Sequence, residues 1–245
     1  MGTTFIIAKR EFRSNFDSTL AYVVICLGLI LLGFVFFEFG GGFWQQDRAS
    51  LVQIFAQAPR GLSFLIIPVV TMRLLAEEKR SGTLEMLITL PVKDHEVILG
   101  KFLGAWGLVL LLVASTLLYP LLMFFKPWDL GPLDMGPVYS GYLGLLLYSA
   151  AAVSIGLLIS ALAESQTVAF FITFVVLFAL HMVGSVADKM PTPWLREAIS
   201  FISFDTRLVP FAKGMINTRD IVYFASISVG CLMAAFRALE RRKWA

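Results

Sequence analysis

The feature that most constrains this chain is a series of long apolar runs without a charged residue. The first extends from Ser18 to Phe37, and about 20 apolar residues are enough to cross a bilayer. It is longer than the apolar part of a secretory signal, and no A-x-A cleavage site follows it. The run therefore predicts a first membrane span in an integral membrane protein.

Further apolar runs predict six spans in an all-α membrane protein, with residues 1–245 forming a single transmembrane domain. The spans are expected at about residues 20–37, 56–76, 102–125, 141–162, 167–186 and 221–236. The apolar run alone does not define the limits of span two, because the charge-free part from Gly61 to Met72 is too short to cross and Arg73 must reach the headgroups. Pro68 and Pro120 should kink spans two and three, as static bends or as hinges. Ala152, Gly156 and Ser160 form a small-residue face in span four, which suits close helix packing within the subunit or at a dimer seam.

Lysine and arginine positions predict the orientation of the spans. With the N-terminus inside, twelve of these residues face the cytoplasm and eight face outward. Five of the eight outward-facing lysine and arginine residues lie between spans five and six. That segment is long, and long segments count little in the rule that lysine and arginine accumulate on the cytoplasmic side. Both termini are therefore expected in the cytoplasm.

Several function classes find no support in the sequence. The chain contains no H-E-x-x-H, G-x-S-x-G or G-x-x-x-x-G-K-[ST] motif, so no catalytic residue, nucleotide site or cofactor is expected in it. Cys26 and Cys231 fall inside predicted spans and are interpreted as small apolar residues rather than metal ligands. His95 and His181 are interpreted as histidines near the membrane interface whose hydrogen bonds are satisfied, and not as catalytic residues. Ionisable residues are missing from the span centres, which argues against a secondary transporter, and no nucleic-acid partner is expected.

The N-terminal segment has the pattern of an amphipathic helix over residues 4–17. One face would carry Phe5, Ala8, Phe12 and Phe16, and the other Lys9, Arg10, Arg13 and Asp17. This pattern suits a helix lying in the cytoplasmic membrane interface, in contact with lipid. An ordinary charged flank before the first span is the alternative.

A charged loop between spans two and three contains a short apolar segment. Gly82 allows a sharp turn, Thr83 can cap a helix that begins at Leu84, and Glu85 suits its first turn. Pro91 ends the helix. The segment is under two turns long and carries Leu84, Leu87 and Ile88. Since so short a helix is not stable alone in water, it must dock on its own bundle or on a partner.

The run "MRLLAEEKRSGTLEMLITLPVKDHEVILGKFLG", residues 72–104, resembles the signature of ABC-2 type ATP-binding-cassette permeases. "KREFRSNFDSTLAYVV" (9–24), "FAKGMINTRDIVYF" (211–224) and the final "ALERRKWA" are similar to one branch of that family. This branch contains the gliding-motility-associated permease subunit and the nitrous-oxide-reductase maturation permease. The resemblance covers the whole chain, and Glu-Glu-x-x-x-Gly-Thr-x-Glu is its most specific part.

The resemblance implies a permease half-transporter in a bacterial inner membrane, which pairs with a second copy or a related permease subunit. Two cytoplasmic ATPase subunits would bind ATP and Mg²⁺ and drive export, and the short apolar helix would be their coupling helix. The residues that match the family loop are Glu77, Glu78, Arg80, Gly82, Thr83, Leu84, Glu85, Leu87, Ile88 and Pro91. The matching interfacial helix carries Phe5, Phe12, Arg13 and Phe16.

The family also carries external gate helices between spans five and six. Here "TPWLREAISFISF" has Leu195, Ala198, Ile199 and Ile202 at helical spacing, so Trp194, Leu195, Ile199 and Ile202 are gate candidates. A plain interfacial helix is the alternative. The rival function is a non-transporting scaffold that transmits force to an envelope machine, with a periplasmic partner on residues 38–60 and 187–220.

Overall fold

The computed structural model describes residues 2–37, 51–82, 93–124, 134–187 and 189–241. All the regular structure in these ranges is helical. Five stretches are long and apolar enough to cross a membrane: Val52–Arg80, Asp94–Leu121, Met135–Leu162, Gln166–Ala187 and Thr218–Arg241. A sixth results when Gly2–Asp17 and Ala21–Val35, bent by 79°, are taken together. The predicted all-α integral membrane fold is confirmed.

The first half of the chain is divided into shorter helices. They are α1 (Gly2–Asp17), α2 (Thr19–Phe37), α3 (Val52–Gly61), a π-helical turn (Leu62–Ile66), α4 (Ile67–Thr71) and α5 (Ala76–Arg80). The helical stretch that contains predicted span two begins at Val52, and its π-helical turn ends just before Pro68. A π-turn inserts a residue into the helix and is frequent at functional sites.

The second half contains the longest helices. They are α6 (Asp94–Ser115), α7 (Leu118–Phe124), α8 (Met135–Leu162), α9 (Gln166–Ala187), α10 (Pro193–Ile202), α11 (Phe204–Ala212) and α12 (Thr218–Arg241). Span three is broken at Thr116 and Leu117, just before Pro120. Local sequence sets several helix starts: Asp134 accepts a hydrogen bond from Gly136 N at 3.0 Å, and Pro193 occupies the first turn of α10.

Helix α8 lies at the centre of the bundle. Its residues from Ala151 to Leu157 are all buried, as expected for a helix surrounded by other helices. Trp106 on α6 donates to Ser149 Oγ at 3.0 Å, and a Cβ added at Gly156 would overlap the Thr71 side chain of α4. The small-residue face of span four therefore packs within the subunit. Helices α9 and α12 bury only a minority of their side chains inside the bundle.

The bundle has two distinct ends. At the basal end, α1 packs against α6 and α5 lies beside the end of α8. At the apical end, α10 and α11 join α9 to α12. The segment of the predicted coupling helix, residues 83–92, lies outside the described residues, as do residues 38–50, 125–133 and 242–245.

Candidate functional site

The base of the charged loop is fixed to α8 by a side chain from that span. Leu75 N and Ala76 N both donate to Ser160 Oγ at 3.1 Å, and the Ser160 hydroxyl lies 3.3 Å from Met72 O. The first N–H groups of a helix have no intrahelical acceptor. Ser160 supplies one for α5 from a different span, so the two helices are held in register.

The charges of α5 also make contacts inside the protein. Lys79 Nζ donates to Ala161 O and to Ala163 O, the latter at 2.9 Å. These carbonyls lie at the end of α8, where cations are favoured. Arg73 Nε donates to Glu77 Oε2 at 2.7 Å, four residues along the chain. The "EEKR" run is therefore bound to the bundle rather than being only a solvated charge cluster.

Lys101 connects three helices at the basal end. Its Nζ lies 2.7 Å from Glu78 Oε1 on α5 and 3.1 Å from Glu11 Oε1 on α1. Only 2% of the Lys101 side chain is exposed. A buried ammonium is tolerated when carboxylates and hydrogen bonds compensate its lost hydration. This cluster therefore requires α1, α5 and α6 to keep their relative positions.

A polar cavity of about 330 Å³ lies beside this cluster, between α1 and the end of span two. Its charged lining is balanced, with three basic and three acidic side chains: Arg10, Arg73, Lys101, Glu11, Glu77 and Glu78. Such a balance does not favour a nucleotide phosphate. Within the described ranges, no group of three or more His, Cys, Asp or Glu side chains has the arrangement of a metal site.

The predicted coupling residues divide into two groups. Glu77 and Glu78 make the contacts given above, Arg80 is exposed, and Gly82 adopts a φ of 71°, which favours glycine. Thr83, Leu84, Glu85, Leu87, Ile88 and Pro91 lie outside the described residues. Their role as a coupling helix stays a prediction.

Helix α1 packs closely on α6 through glycines. A Cβ added at Gly100 would come 2.6 Å from Ile7 Cγ2, and one at Gly104 would come 2.6 Å from Glu11 Cβ. Ala8 is the buried residue of α1. The predicted apolar face is split, since Phe5 is exposed while Phe12 and Phe16 are half-buried; Arg13 is exposed.

The predicted gate segment forms α10 at the apical end. Leu195 and Ile199 are half-buried, while Trp194 and Ile202 are 72% and 51% exposed. None of its residues is buried. Helix α10 is therefore a surface helix whose apolar side chains remain largely uncovered, and its gating role stays a prediction.

The next helix, α11, is inserted among the spans. It buries Phe204, Leu208 and Phe211, and the Ser140 hydroxyl of α8 donates to Phe211 O at 2.6 Å. A Cβ added at Gly144 would come 2.8 Å from Phe211 Cβ. At the apical end, the helix inserted into the bundle is therefore α11 and not α10.

An ionic cluster fixes α11 to spans two and five. His181 Nδ1 lies 2.6 Å from Asp205 Oδ1, and Arg60 Nη2 lies 2.5 Å from Asp205 Oδ2. Burial of the Asp205 carboxyl opposes its ionisation, but hydrogen bonds from His181 and Arg60 outweigh this effect and lower its pKa. Asp205 is therefore a carboxylate at neutral pH.

A second ion pair joins α11 to the start of α12. Arg207 Nη1 donates to Asp220 Oδ1 at 3.0 Å, and both side chains are at least nine-tenths buried. The Arg207 guanidinium also lies 4.5 Å from the Phe201 ring centre, within the range of a cation–π contact.

The sequence analysis missed the residues that carry these contacts. In the sequence, Lys101 was an ordinary cation at the start of span three, and Ser160 was one of the small residues of span four. The spacing of Gly100 and Gly104 around Lys101 was a usable signal, because small residues at i and i+4 indicate close helix approach. His181 contacts Ser63 Oγ at 3.0 Å as well as Asp205, and these residues are 118 and 24 positions away along the chain, so no local motif indicated them.

Sequence comparison identifies the family of membrane proteins to which this bundle of apolar helices belongs. The family model described as "ABC-2 family transporter protein" matches residues 50–236. The chain belongs to the ABC-2 family of transporter proteins. It is accordingly a multi-pass membrane protein of that family; the comparison does not distinguish the branch to which its sequence is similar.

Curated relatives give a shorter match. This ABC-2 chain is 28% identical over 134 residues to the "Probable multidrug ABC transporter permease YbhR" of Escherichia coli K12. The same identity and length are found with the protein of that name from Escherichia coli O157:H7. The match covers 54% of this chain and only 34% of the relative, so the chain aligns with about a third of that protein.

Proposed function

We propose that this chain is the membrane-spanning permease subunit of an ATP-binding-cassette exporter. Membership of the ABC-2 family supports the transporter role. In this proposal a cytoplasmic ATPase dimer binds ATP and Mg²⁺ and performs the hydrolysis, so the permease itself is not an enzyme. A second copy of the chain or a related permease completes the membrane part.

The proposal places the protein in the bacterial inner membrane with both termini in the cytoplasm. The basal end then faces the ATPase, and α10 and α11 face outward. The excess of lysine and arginine at the basal end supports this orientation. The related permease is named for multidrug transport, which makes small amphipathic compounds the first cargo to test here.

The observation that carries the proposal is that α5, at the base of the charged loop, is bound to three other helices: α1, α6 and α8. Glu78 binds Lys101, which also binds Glu11, and Lys79 binds the end of α8. A partner that moves residues 83–92 would therefore displace α1, α6 and α8 together with span two. If the base of the loop were only solvated, the loop could move without displacing these helices.

Purification of the tagged chain from its native membrane tests the proposal. A separate ATPase should co-purify, and the chain alone should not hydrolyse ATP. The variant Leu87→Asp should lose the ATPase, because an uncompensated charge in a desolvated contact is costly. The control Ile216→Asp places the same charge on a 56% exposed residue at the opposite end.

Two results would contradict the proposal. One is ATP hydrolysis by the isolated chain. The other is an intact, fully active complex for Leu87→Asp at normal membrane yield and thermal stability. If Leu87→Asp instead lowers the yield of the permease itself, then the segment docks on its own bundle rather than on a partner.

The alternative is a scaffold that transmits ATPase-driven motion to an envelope machine without moving cargo. The exposed apolar residues of α10, Trp194, Phe201 and Ile202, favour this reading, because they offer a contact surface to a periplasmic partner. An exporter should show cargo-stimulated ATP hydrolysis in proteoliposomes. A scaffold should show none, and a periplasmic protein should cross-link to α10.

A further inference from the structure

The polar cavity at the basal end lies in a corner of the bundle, where α1 meets the first span. Helices α1 and α2 are bent by 79° to each other, so α1 runs nearly perpendicular to the span, as a helix lying along a membrane surface does. The cavity is lined by Ser14, Asn15 and Ser18 at the end of α1 and by Val70 and Leu74 of span two. It therefore lies at the depth of the lipid headgroups.

The lining of this cavity passes from exposed to buried residues. Arg10, Ser14 and Ser81 are exposed, whereas Lys101 and Val70 are 2% and 4% exposed. The cavity thus opens at the surface of the basal end and extends inward to Lys101. Its volume of about 330 Å³ is far larger than the space of one water molecule, about 30 Å³ in the liquid. A polar group of several heavy atoms can enter it.

The formal charges in the lining are balanced in number but separated in space. Lys101 lies between the carboxylates of Glu11 and Glu78, so this group has one negative charge in excess. Arg10 is exposed and forms none of the ion pairs in the described part of the chain. The two remaining charged side chains of the lining pair with each other. The cavity therefore has a positive side and a negative side.

A ligand that matches this lining carries charges of both signs. A phosphate would be bound by Arg10, with further donors from the Ser14 hydroxyl and the Asn15 amide. An ammonium would be bound by Glu11 and Glu78, whose side chains are 18% and 19% exposed and so still accessible. An anionic headgroup would instead need a cluster of basic side chains without carboxylates. A simple cation would leave Arg10 without a counter-charge.

We propose that this cavity binds a phosphodiester zwitterion with a primary ammonium, the headgroup of phosphatidylethanolamine. The phosphate lies at Arg10 near the opening, and the ammonium lies farther in, at Glu11 and Glu78. A primary ammonium offers three N–H donors to these carboxylates, whereas the trimethylated ammonium of phosphatidylcholine offers none. Because the cavity is at headgroup depth, the acyl chains stay in the bilayer. The bound lipid joins α1 to α5.

Lipid titration of the purified, delipidated chain, followed by native mass spectrometry, tests the chemistry of the ligand. The lipids share their acyl chains and differ in the headgroup: ethanolamine, N-methylethanolamine, N,N-dimethylethanolamine, choline or glycerol. The first ethanolamine lipid should bind about tenfold more tightly than the choline lipid, as expected for loss of charge-assisted hydrogen bonds. The partly methylated lipids should lie between them. Equal affinities, or a preference for the anionic glycerol headgroup, would overturn the proposal.

The variant Arg10→Gln tests the position of the site. It should weaken binding of the ethanolamine lipid about tenfold, through loss of one charge-assisted hydrogen bond. Lys9→Gln removes the same charge from the neighbouring exposed residue, which does not line the cavity, and should leave the affinity unchanged. Equal affinities of the two variants would place the lipid elsewhere and contradict the proposal. If Arg10→Gln does not fold, the headgroup series on the unaltered chain decides.

Free glycerophosphoethanolamine distinguishes a lipid from a soluble zwitterion. It carries the same phosphate and ammonium but no acyl chains. Competition with the bound lipid only at a much higher concentration would support a membrane ligand, whereas an affinity equal to that of the lipid would overturn the assignment to phosphatidylethanolamine. These measurements use the chain without ATPase or cargo, so their failure leaves the proposed function untouched.

Discussion

Lys101 Nζ lies 2.7 Å from Glu78 Oε1 in an environment that leaves 2% of the lysine side chain exposed. This contact joins the loop base to α6, and Glu11 extends it to α1. Removal of the ammonium would leave two carboxylates close together without their cation. The basal end is therefore held by a charge cluster whose members depend on each other.

Lys101→Met should destabilise the protein strongly, because it removes one partner of a buried ion cluster while keeping a similar volume. Loss of one partner typically costs about 3 to 5 kcal/mol. Thermal unfolding in detergent would measure the effect. Lys93→Met, at an exposed residue, is the matched control and should change little. A midpoint of Lys101→Met equal to that of the control would contradict the structural role of the cluster.

Gly104→Ala should weaken the packing of α1 on α6, because the new Cβ would meet Glu11 Cβ at 2.6 Å and Ala8 O at 3.1 Å. Overpacking of this kind costs about 1 to 3 kcal/mol. Proteolysis or hydrogen exchange of α1 should increase. Gly230→Ala is the control, since nothing lies within 4 Å of its added Cβ and alanine favours the helix by about 1 kcal/mol. Equal protection of α1 in both variants would count against the close contact.

Ser160→Ala should loosen α5 while leaving the spans assembled. It removes the acceptor of Leu75 N and Ala76 N, and each buried donor without an acceptor costs about 1 to 3 kcal/mol. Exchange of the α5 amides should be faster, and thermal stability lower. Ser115→Ala removes an exposed hydroxyl that bonds to Leu111 O and should be nearly neutral. The prediction fails if α5 exchanges equally slowly in both.

The apolar runs were sufficient to predict the candidate membrane spans, because crossing a bilayer requires about 20 apolar residues whichever helices pack beside them. Gly82 was likewise predicted as a turn, and it adopts a positive φ. The break of span two into α3, a π-turn, α4 and α5 was beyond the sequence. The position of α5 depends on contacts with α8, which is far away along the chain: Ser160 Oγ accepts hydrogen bonds from Leu75 N and Ala76 N, and Lys79 binds carbonyls at the end of α8.

Helix α11 illustrates a signal that was present but not used. Phe204, Leu208 and Phe211 are spaced at i, i+4 and i+7, which is the pattern of a buried helix face. The sequence analysis placed its gate candidates on α10 instead, since α10 has the clearer amphipathic pattern. That pattern does not reveal which of two adjacent helices is inserted into the bundle, because insertion depends on the ionic contacts of Asp205 and on space beside Gly144.

The orientation of the bundle is tested with single cysteines at its two ends. In a chain whose Cys26 and Cys231 are replaced by alanine, Lys213→Cys should react with an impermeant maleimide added outside the cell. Arg80→Cys should react only after the membrane is opened. Both positions are exposed, so access to reagent is the only difference. Labelling of Arg80→Cys from outside would invert the bundle and with it the proposed ATPase side.

The ionic contact of α11 should fail in acid, through protonation of Asp205. The pKa of Asp205 is lowered in the folded protein, because bonds from His181 and Arg60 outweigh the effect of burial. Its contribution to stability is therefore complete above the ordinary carboxyl pKa of about 4 and is lost as the pH falls through the lower, folded pKa. Protection of α11 should therefore decrease below pH 4, and we call this decrease the acid limb. Hydrogen exchange after correction for intrinsic rates measures it. Asp205→Asn should remove the acid limb, whereas Glu197→Gln, an exposed carboxyl on α10, should keep it. An acid limb of unchanged size in Asp205→Asn would assign the loss to another group and contradict this account of the contact.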